Sequence, residues 1–290
     1  MRIIELTAAE CDDGAEVGEF LRRHGFSHGI ITKLKQGNSL LVNGKKARTV
    51  DILHKGDLIE AAMSDETGIV PNSSLKAEII YDDDDIVIFD KPPFMPVHPS
   101  IRRYDDTLAN LFTALYPGAA FRSVSRLDRN TSGLVIVAKN RLAAAKLTAK
   151  KEYRPKKLYY AVVAGDVTDR FGCCGEIIKP IASVSESIIT RTIGDDGQYA
   201  HTVFKIIKSS SDMSFLEIFL VTGRTHQIRV HFSSEGYPLM GDDLYGGSTE
   251  LINRQALHCG YISFIHPITG KFMKFRSEPP TDMQGLIEKI

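Results

Sequence analysis

From residue 76 onward, short apolar runs alternate with polar breaks. "AEIIYDDDDIVIFDKPP" sets two apolar runs around four consecutive aspartates at 82–85, a pattern that predicts two strands joined by an acidic turn. "LVIVAKN", just after "SRLDRNTSG" at 125–133, is an apolar run that predicts a buried strand. "KKLYYAVVAG" at 156–165 predicts another strand, with Tyr159 and Tyr160 on opposite faces. Residues 139–152 instead space Ala and Leu as one face of a helix. "HQIRVH", read as a strand, sends His226, Ile228 and Val230 to one side and Gln227, Arg229 and His231 to the other. Asp195-Asp196-Gly197 is a hairpin-like turn signal. Strands dominate from 76 to 290 with few helices, so the expected fold class is α+β, a mixed, largely antiparallel sheet with flanking helices.

The amino-terminal stretch has another rhythm. In "EVGEFLRRHGF", Val17, Phe20 and Leu21 share one helical face. Gly25 ends that helix and Ser27 is placed to cap the next, "HGIITKLKQG". "SLLVNGKKART" predicts a strand, an Asn43-Gly44 turn and a basic return strand. "HKGDLIEAAM" predicts a further turn and strand. The expected division is a small helix-hairpin module at 1–63, a Gly/Pro/Ser/Asn-containing linker at 64–75 and one large domain at 76–290.

Charge sharpens this picture only locally. The 290 residues carry 36 basic and 36 acidic side chains, so net charge points to no partner. Within 17–60, however, eight Lys or Arg residues (22, 23, 33, 35, 45, 46, 48, 55) face four carboxylates. Between 141 and 157, seven basic residues face Glu152 alone, a second candidate surface for phosphates. Surface lysines are more often simply solvated. The helix-helix-hairpin order tilts the first cluster toward RNA, with Arg22, Arg23, Lys33, Lys45 and Lys46 as candidate contacts.

Several chemistries lose support. The four cysteines, Cys11, Cys173, Cys174 and Cys259, have no C-x-x-C spacing, which speaks against a zinc site or a disulfide framework. The acidic run at 82–85 reads as a turn rather than a metal site, because its flanks supply no partner ligands. Neither a Gly-rich phosphate loop nor H-E-x-x-H nor G-x-S-x-G occurs. No stretch approaches the roughly 18 apolar residues of a membrane span, and the amino terminus lacks a signal-peptide pattern. The expectation is a cytoplasmic protein with reduced thiols and no membrane partner.

Three polar clusters remain. Arg126 and Asp128 alternate onto one side of an extended segment. A buried Asp there needs a cationic partner, and Arg229 is the natural candidate. A purely structural ion pair beneath the turn stays equally open on these grounds.

Taken together and in order, "DKPPFMPVHPS", "SRLDRNTSGLVIVAKN", "KLYYAVVAG", "TGRTHQIRVHFSSEGYPLMGDDLYG" and "RQALHCGYISFIHPITG" resemble the RluA/RluD-type pseudouridine synthases from about 76 to 290. The module at 1–63 resembles an RNA-binding domain of the ribosomal protein S-four type, through "LLVNG", the basic residues after it and "GD". The resemblance implies isomerisation of uridine in ribosomal or transfer RNA, with no cofactor and no metal. It implies that Asp128 is the catalytic carboxylate, acting on the sugar or on the ring, with Arg229 paired to it. Tyr159 corresponds to the family's active-site Tyr, which stacks on uracil and assists proton transfer. Leu257 helps enclose the base, and Arg126 enters the space vacated by the flipped nucleotide. The chain departs from the pattern at Ser125, where a His is usual, which puts the adjacent loop's packing or RNA contact in doubt. The other reading is a non-catalytic RNA-binding protein, for which the two basic surfaces would suffice.

Overall fold

The computed structural model describes residues 2–36, 39–63, 68–99, 105–149, 151–184 and 190–290. Its largest element is a ten-stranded mixed sheet. Along its main path the strands run Cys174–Ile178, His201–Ser209, Met213–Leu220, Lys156–Ala164, Leu257–Ile265, Ser132–Ala138, Ile86–Lys91 and Glu78–Asp82. Arg122–Ser123 adds to Ser132–Ala138, and Phe272–Arg276 adds to Leu257–Ile265. Every pairing is antiparallel except where His258 and Cys259 lie beside Ser132 and Gly133. The fold is therefore α+β with a mostly antiparallel sheet, as the strand-rich pattern predicts.

That single parallel contact fixes the centre of the molecule. Gly133 has φ +112, and a Cβ there would lie 2.4 Å from the Cys259 carbonyl oxygen. Only glycine lets the two strands cross so closely. The crossing brings the segment that begins at Asp128 up against Leu257.

The continuous apolar run becomes Ser132–Ala138, buried at all seven positions. It packs with Ile86–Phe89 and with Leu108 and Phe112 of the helix Leu108–Leu115. Each such side chain contributes roughly 1.5–3 kcal/mol when fully buried. Thr107 caps that helix, its hydroxyl accepting from the Asn110 amide. The predicted helix over 139–152 forms at Arg141–Ala149, followed by a single 3-10 turn at Lys151–Tyr153. Asp195-Asp196-Gly197 does form a turn, but it leads from Arg191–Ile193 to a bridge at Gln198, outside the large sheet.

One element differs from expectation. "HQIRVH" is not a strand; Gln227–Ser234 is a helix, entered through His226 in the left-handed conformation at φ 57. Gln227 to Phe232 are all buried, so the segment lacks the polar face whose spacing would have marked it helical. Short apolar runs with interspersed polar residues satisfy both periods.

The amino-terminal residues build a separate four-stranded sheet, in the order Arg2–Thr7, Leu58–Met63, Leu40–Val42, Lys45–Lys46. The helices Val17–Arg23 and His28–Gln36 pack on it. Asn43 at φ 49 and Gly44 at φ 72 form the tight turn that their sequence predicts. Val17, Phe20, Leu21, Leu40 and Ile59 form a second core, which Leu142 of the helix Arg141–Ala149 also joins. No helix among the described residues is long and apolar enough to cross a membrane.

Candidate active site

Asp128 stands at the end of an extended segment, just before a turn closed by the Thr131 amide donating to the Asp128 carbonyl at 3.1 Å. Its side chain is 29% exposed and faces a cleft of about 880 Å³. It is thus accessible rather than enclosed, unlike the buried carboxylate expected from the sequence.

Three buried donors hold the turn from below. Lys91 Nζ donates to the Arg129 carbonyl at 3.1 Å and to the Pro92 carbonyl at 2.8 Å. Arg254 Nη1 donates to the Asn130 carbonyl at 3.1 Å. Gln255 Nε2 donates to Thr131 Oγ1 at 3.1 Å. The Arg254 charge is matched by Asp282, whose oxygens lie 2.6 and 2.8 Å from Nε and Nη2. Burial, with the repulsion of Arg254 added, lowers the pKa of Lys91 to about 7. None of these three was singled out from the sequence, although a lysine inside an apolar strand is an unusual enough residue to have been a signal.

Arg229 lies in the first turn of the helix Gln227–Ser234 and is almost wholly buried. Its Nη1 donates to Asp128 Oδ2 at 3.3 Å. Its Nε and Nη2 donate to Asp242 at 2.7 Å each, and its guanidinium lies 4.9 Å from the Tyr245 ring centre. Burial works against its charge, but the hydrogen bonds and charge of Asp242, together with Asp128, raise its pKa. The expected Arg229–Asp128 contact is present, but Asp242, which the sequence reading left out, is the tighter partner.

His226 is a further neighbour. Its Nε2 is 3.7 Å from Asp128 Oδ2, and its Nδ1 is 2.9 Å from the Tyr245 hydroxyl. Burial lowers its pKa, against the pull of Asp128, and so favours the neutral imidazole.

Tyr159 and Leu257 are both buried and share a small pocket with Arg126, Asp128, His226 and Arg229. Burial is the main cause that raises the Tyr159 pKa well above its usual value, with Cys259 and Asp128 adding to it. The phenol is therefore a proton donor and an apolar face, and a poor resting base. Tyr160, on the opposite side of the sheet, is half-buried against Phe215, with ring centres 5.7 Å apart. Arg126 is exposed on the cleft. The Ser125 hydroxyl, at the same cleft, is buried and has no hydrogen-bond partner among the described residues.

The basic surfaces divide. Arg154, Lys156 and Lys157 line the cleft, so the carboxyl-terminal part of the basic stretch at 141–157 reaches the site. Arg22, Arg23, Lys45 and Lys46 are exposed on the amino-terminal unit and do not line the cleft. Arg23 is already engaged, 3.2 Å from Asp12 and 3.9 Å from Glu19. The side chain of Lys33 lies outside the described residues.

Two other clusters belong elsewhere. Asp83, Asp85 and His266 bring ligand atoms within 4.8 Å of one another. His266 Nδ1 accepts from the Thr269 and Ile268 amides at 3.0 and 3.3 Å, and Nε2 lies 3.0 Å from Asp83. Asp83 also accepts from the Ile86 amide, and Asp85 from Asn140, each at 2.8 Å. The run at 82–85 does form a turn between two strands, but His266 is a partner ligand that its local flanks do not supply. A cavity of about 700 Å³ lies between Leu75–Ile79 and Pro92, Pro93, Leu111 and Leu115, and contains none of the candidate residues.

Comparison with known proteins bears on this geometry. Residues 85–234 match the RNA pseudouridylate synthase family. The chain is 37% identical to an uncharacterized RNA pseudouridine synthase, YjbO, of Bacillus subtilis, over 94% of this chain and 98% of that one. It is 35% identical to ribosomal large subunit pseudouridine synthase D of Pseudomonas aeruginosa, over 89% and 85% of the two chains. Among solved structures, human RNA pseudouridylate synthase domain containing 1 superposes with a TM-score of 0.59 at 27% identity, covering 73% of this chain and 87% of that one.

Proposed function

Since the chain belongs to the RNA pseudouridylate synthase family, of the RluA/RluD type, and is an isomerase acting on RNA, we propose that Asp128 is its catalytic carboxylate and large-subunit ribosomal RNA its substrate. The observation that carries the assignment is the position of Asp128. Its carboxylate faces a wide cleft while Arg229, itself held by Asp242, reaches it from behind at 3.3 Å. A protein that only binds RNA has no use for an aimed carboxylate in a cleft lined by Arg154, Lys156 and Lys157.

The isomerisation breaks the bond between ribose C1′ and uracil N1 and forms one between C1′ and C5. The C5 proton leaves and N1 gains a proton, so substrate and product contain the same atoms. The scheme therefore calls for no redox cofactor, nucleotide or metal. The uridine must leave its stack to be reached. Asp128 acts on the sugar or the ring. Tyr159 lies along the uracil face, Leu257 forms the opposing apolar wall, and Arg126 occupies the vacated place with its planar guanidinium. Arg229 fixes the direction of Asp128.

Residues 1–63 are proposed as an S-four-like RNA-binding module, 64–75 as a linker and 76–290 as the catalytic domain. The four-stranded sheet of the first segment and its exposed Arg22, Lys45 and Lys46 support this division. The named relatives that modify ribosomal RNA favour that substrate over transfer RNA, and with it a cytoplasmic location.

Mapping pseudouridines in ribosomal RNA from cells lacking the protein tests the reading. At least one site should be missing, restored by the wild-type chain and not by Asp128→Asn. An unchanged map, or full restoration by Asp128→Asn, would overturn it.

A further inference from the structure

Phe94 occupies the left-handed region at φ 65. A bulky aromatic side chain is disfavoured there, and glycine would adopt the same backbone without strain. Strain of this kind usually persists where something else is gained. Here the gain is not burial, because Phe94 is 43% exposed. Nor is it a ring contact, because no aromatic or cationic partner faces it among the described residues.

The position of Phe94 supplies the missing reason. Its carbonyl accepts from Arg129 Nε at 3.1 Å, one residue beyond Asp128. Lys91 ties the Pro92 carbonyl to the Arg129 carbonyl beneath. The Phe94 turn is thus strapped to the catalytic turn, and both Arg129 and Pro96 line the cleft. Arg129 is itself exposed and lines the cleft, so the exposed Phe94 adjoins that cleft through the bond from its own carbonyl to the Arg129 guanidinium.

We propose that Phe94 is a base-stacking subsite for an unpaired nucleotide of the substrate RNA next to the everted uridine. This rests on the synthase reading. Everting one uridine unstacks its neighbours, and an aromatic ring offers any of them a new face. Arg129 supplies charge for the phosphate beside it.

The test uses the full chain and a fluorescent large-subunit ribosomal RNA transcript. Phe94→Gly, Phe94→Tyr and Phe94→Leu are each combined with Asp128→Asn, so that affinity is read without turnover. Phe94→Gly should hold or raise the melting temperature while weakening RNA binding about tenfold. Phe94→Tyr should bind like the parent, and Phe94→Leu like Phe94→Gly. Unchanged affinity in Phe94→Gly, the result expected if the ring serves a protein partner, would overturn the inference. Full affinity in Phe94→Leu would do the same. A parent chain that binds the transcript while the wild type forms no pseudouridine would remove the synthase reading alone, since the affinity comparison needs no turnover. A parent that does not bind at all would remove both.

Discussion

The guanidinium of Arg229 meets the two carboxylate oxygens of Asp242 at 2.7 Å each, in a setting where both side chains are almost wholly buried. With Nε and Nη2 turned to Asp242, Nη1 is the nitrogen that reaches Asp128. Asp242 therefore sets the direction from which Arg229 approaches Asp128, the proposed catalytic carboxylate, and is not among the residues lining the cleft. Asp242→Ala strands a buried charge, which costs about 3–5 kcal/mol of stability. Thermal unfolding should report that loss. Single-turnover rates, measured below the lowered melting temperature, should fall at least about a hundredfold as Arg229 swings free. A variant with normal rate at that temperature would show that Arg229 needs no anchor.

Asp128→Asn keeps the shape of the site and removes the charge. Affinity for ribosomal RNA should change little, because a carboxylate attracts no phosphate and its loss removes no cation. Pseudouridine formation should be abolished, as read by mapping after prolonged incubation. Appreciable product would exclude covalent or acid–base use of this carboxylate.

Arg254 links the turn after Asp128, at Asn130, to Asp282, the second residue of the helix Thr281–Ile287. Asp282→Asn removes the counter-charge from a buried guanidinium while leaving the cleft untouched. The single-turnover rate should drop about tenfold or more with RNA affinity retained, and Asp282→Glu should recover part of it. Loss of affinity in step with rate would point to general misfolding instead.

Lys91 carries a pH signature. Its pKa falls from 10.5 to about 7 on folding, chiefly through burial. Between these values the unfolded chain binds the proton that the folded chain releases, so this residue's contribution to stability grows as pH rises from about 7 and is lost as pH falls through it. The melting-temperature difference between wild type and Lys91→Met should accordingly move in favour of wild type from pH 6 to pH 9. A difference independent of pH would mean that Lys91 stays charged in the folded protein.

The hairpin lysines Lys45 and Lys46 are exposed and do not line the cleft. Lys45→Glu with Lys46→Glu should weaken RNA binding and lower the salt slope by about 2. The rate at saturating enzyme should stay within about twofold. A collapse of that rate with affinity intact would contradict a binding role for the amino-terminal unit.

Much of this was legible in the order of residues. The run after Gly133 reads as a buried strand, the Asn43-Gly44 pair as a tight turn, and Tyr159 and Tyr160 as neighbours on opposite faces of a sheet, and each is so in the fold. Local preference and side-chain alternation act between neighbours, so neighbours in the sequence suffice to reveal them. The same holds for Arg126 and Asp128, two residues apart on an extended segment.

Tertiary structure alone decided the rest. Gln227–Ser234 is a helix because the fold surrounds it on every side, which erases the polar stripe that would have declared it. Asp242 beside Arg229, Asp282 beside Arg254 and Lys91 under Arg129 are matches across 13, 28 and 38 positions. A buried charge requires a partner but does not specify which one. Only the folding of the chain, by removing water from around Arg229 and Arg254, makes one carboxylate among the 36 in the sequence the indispensable neighbour of each.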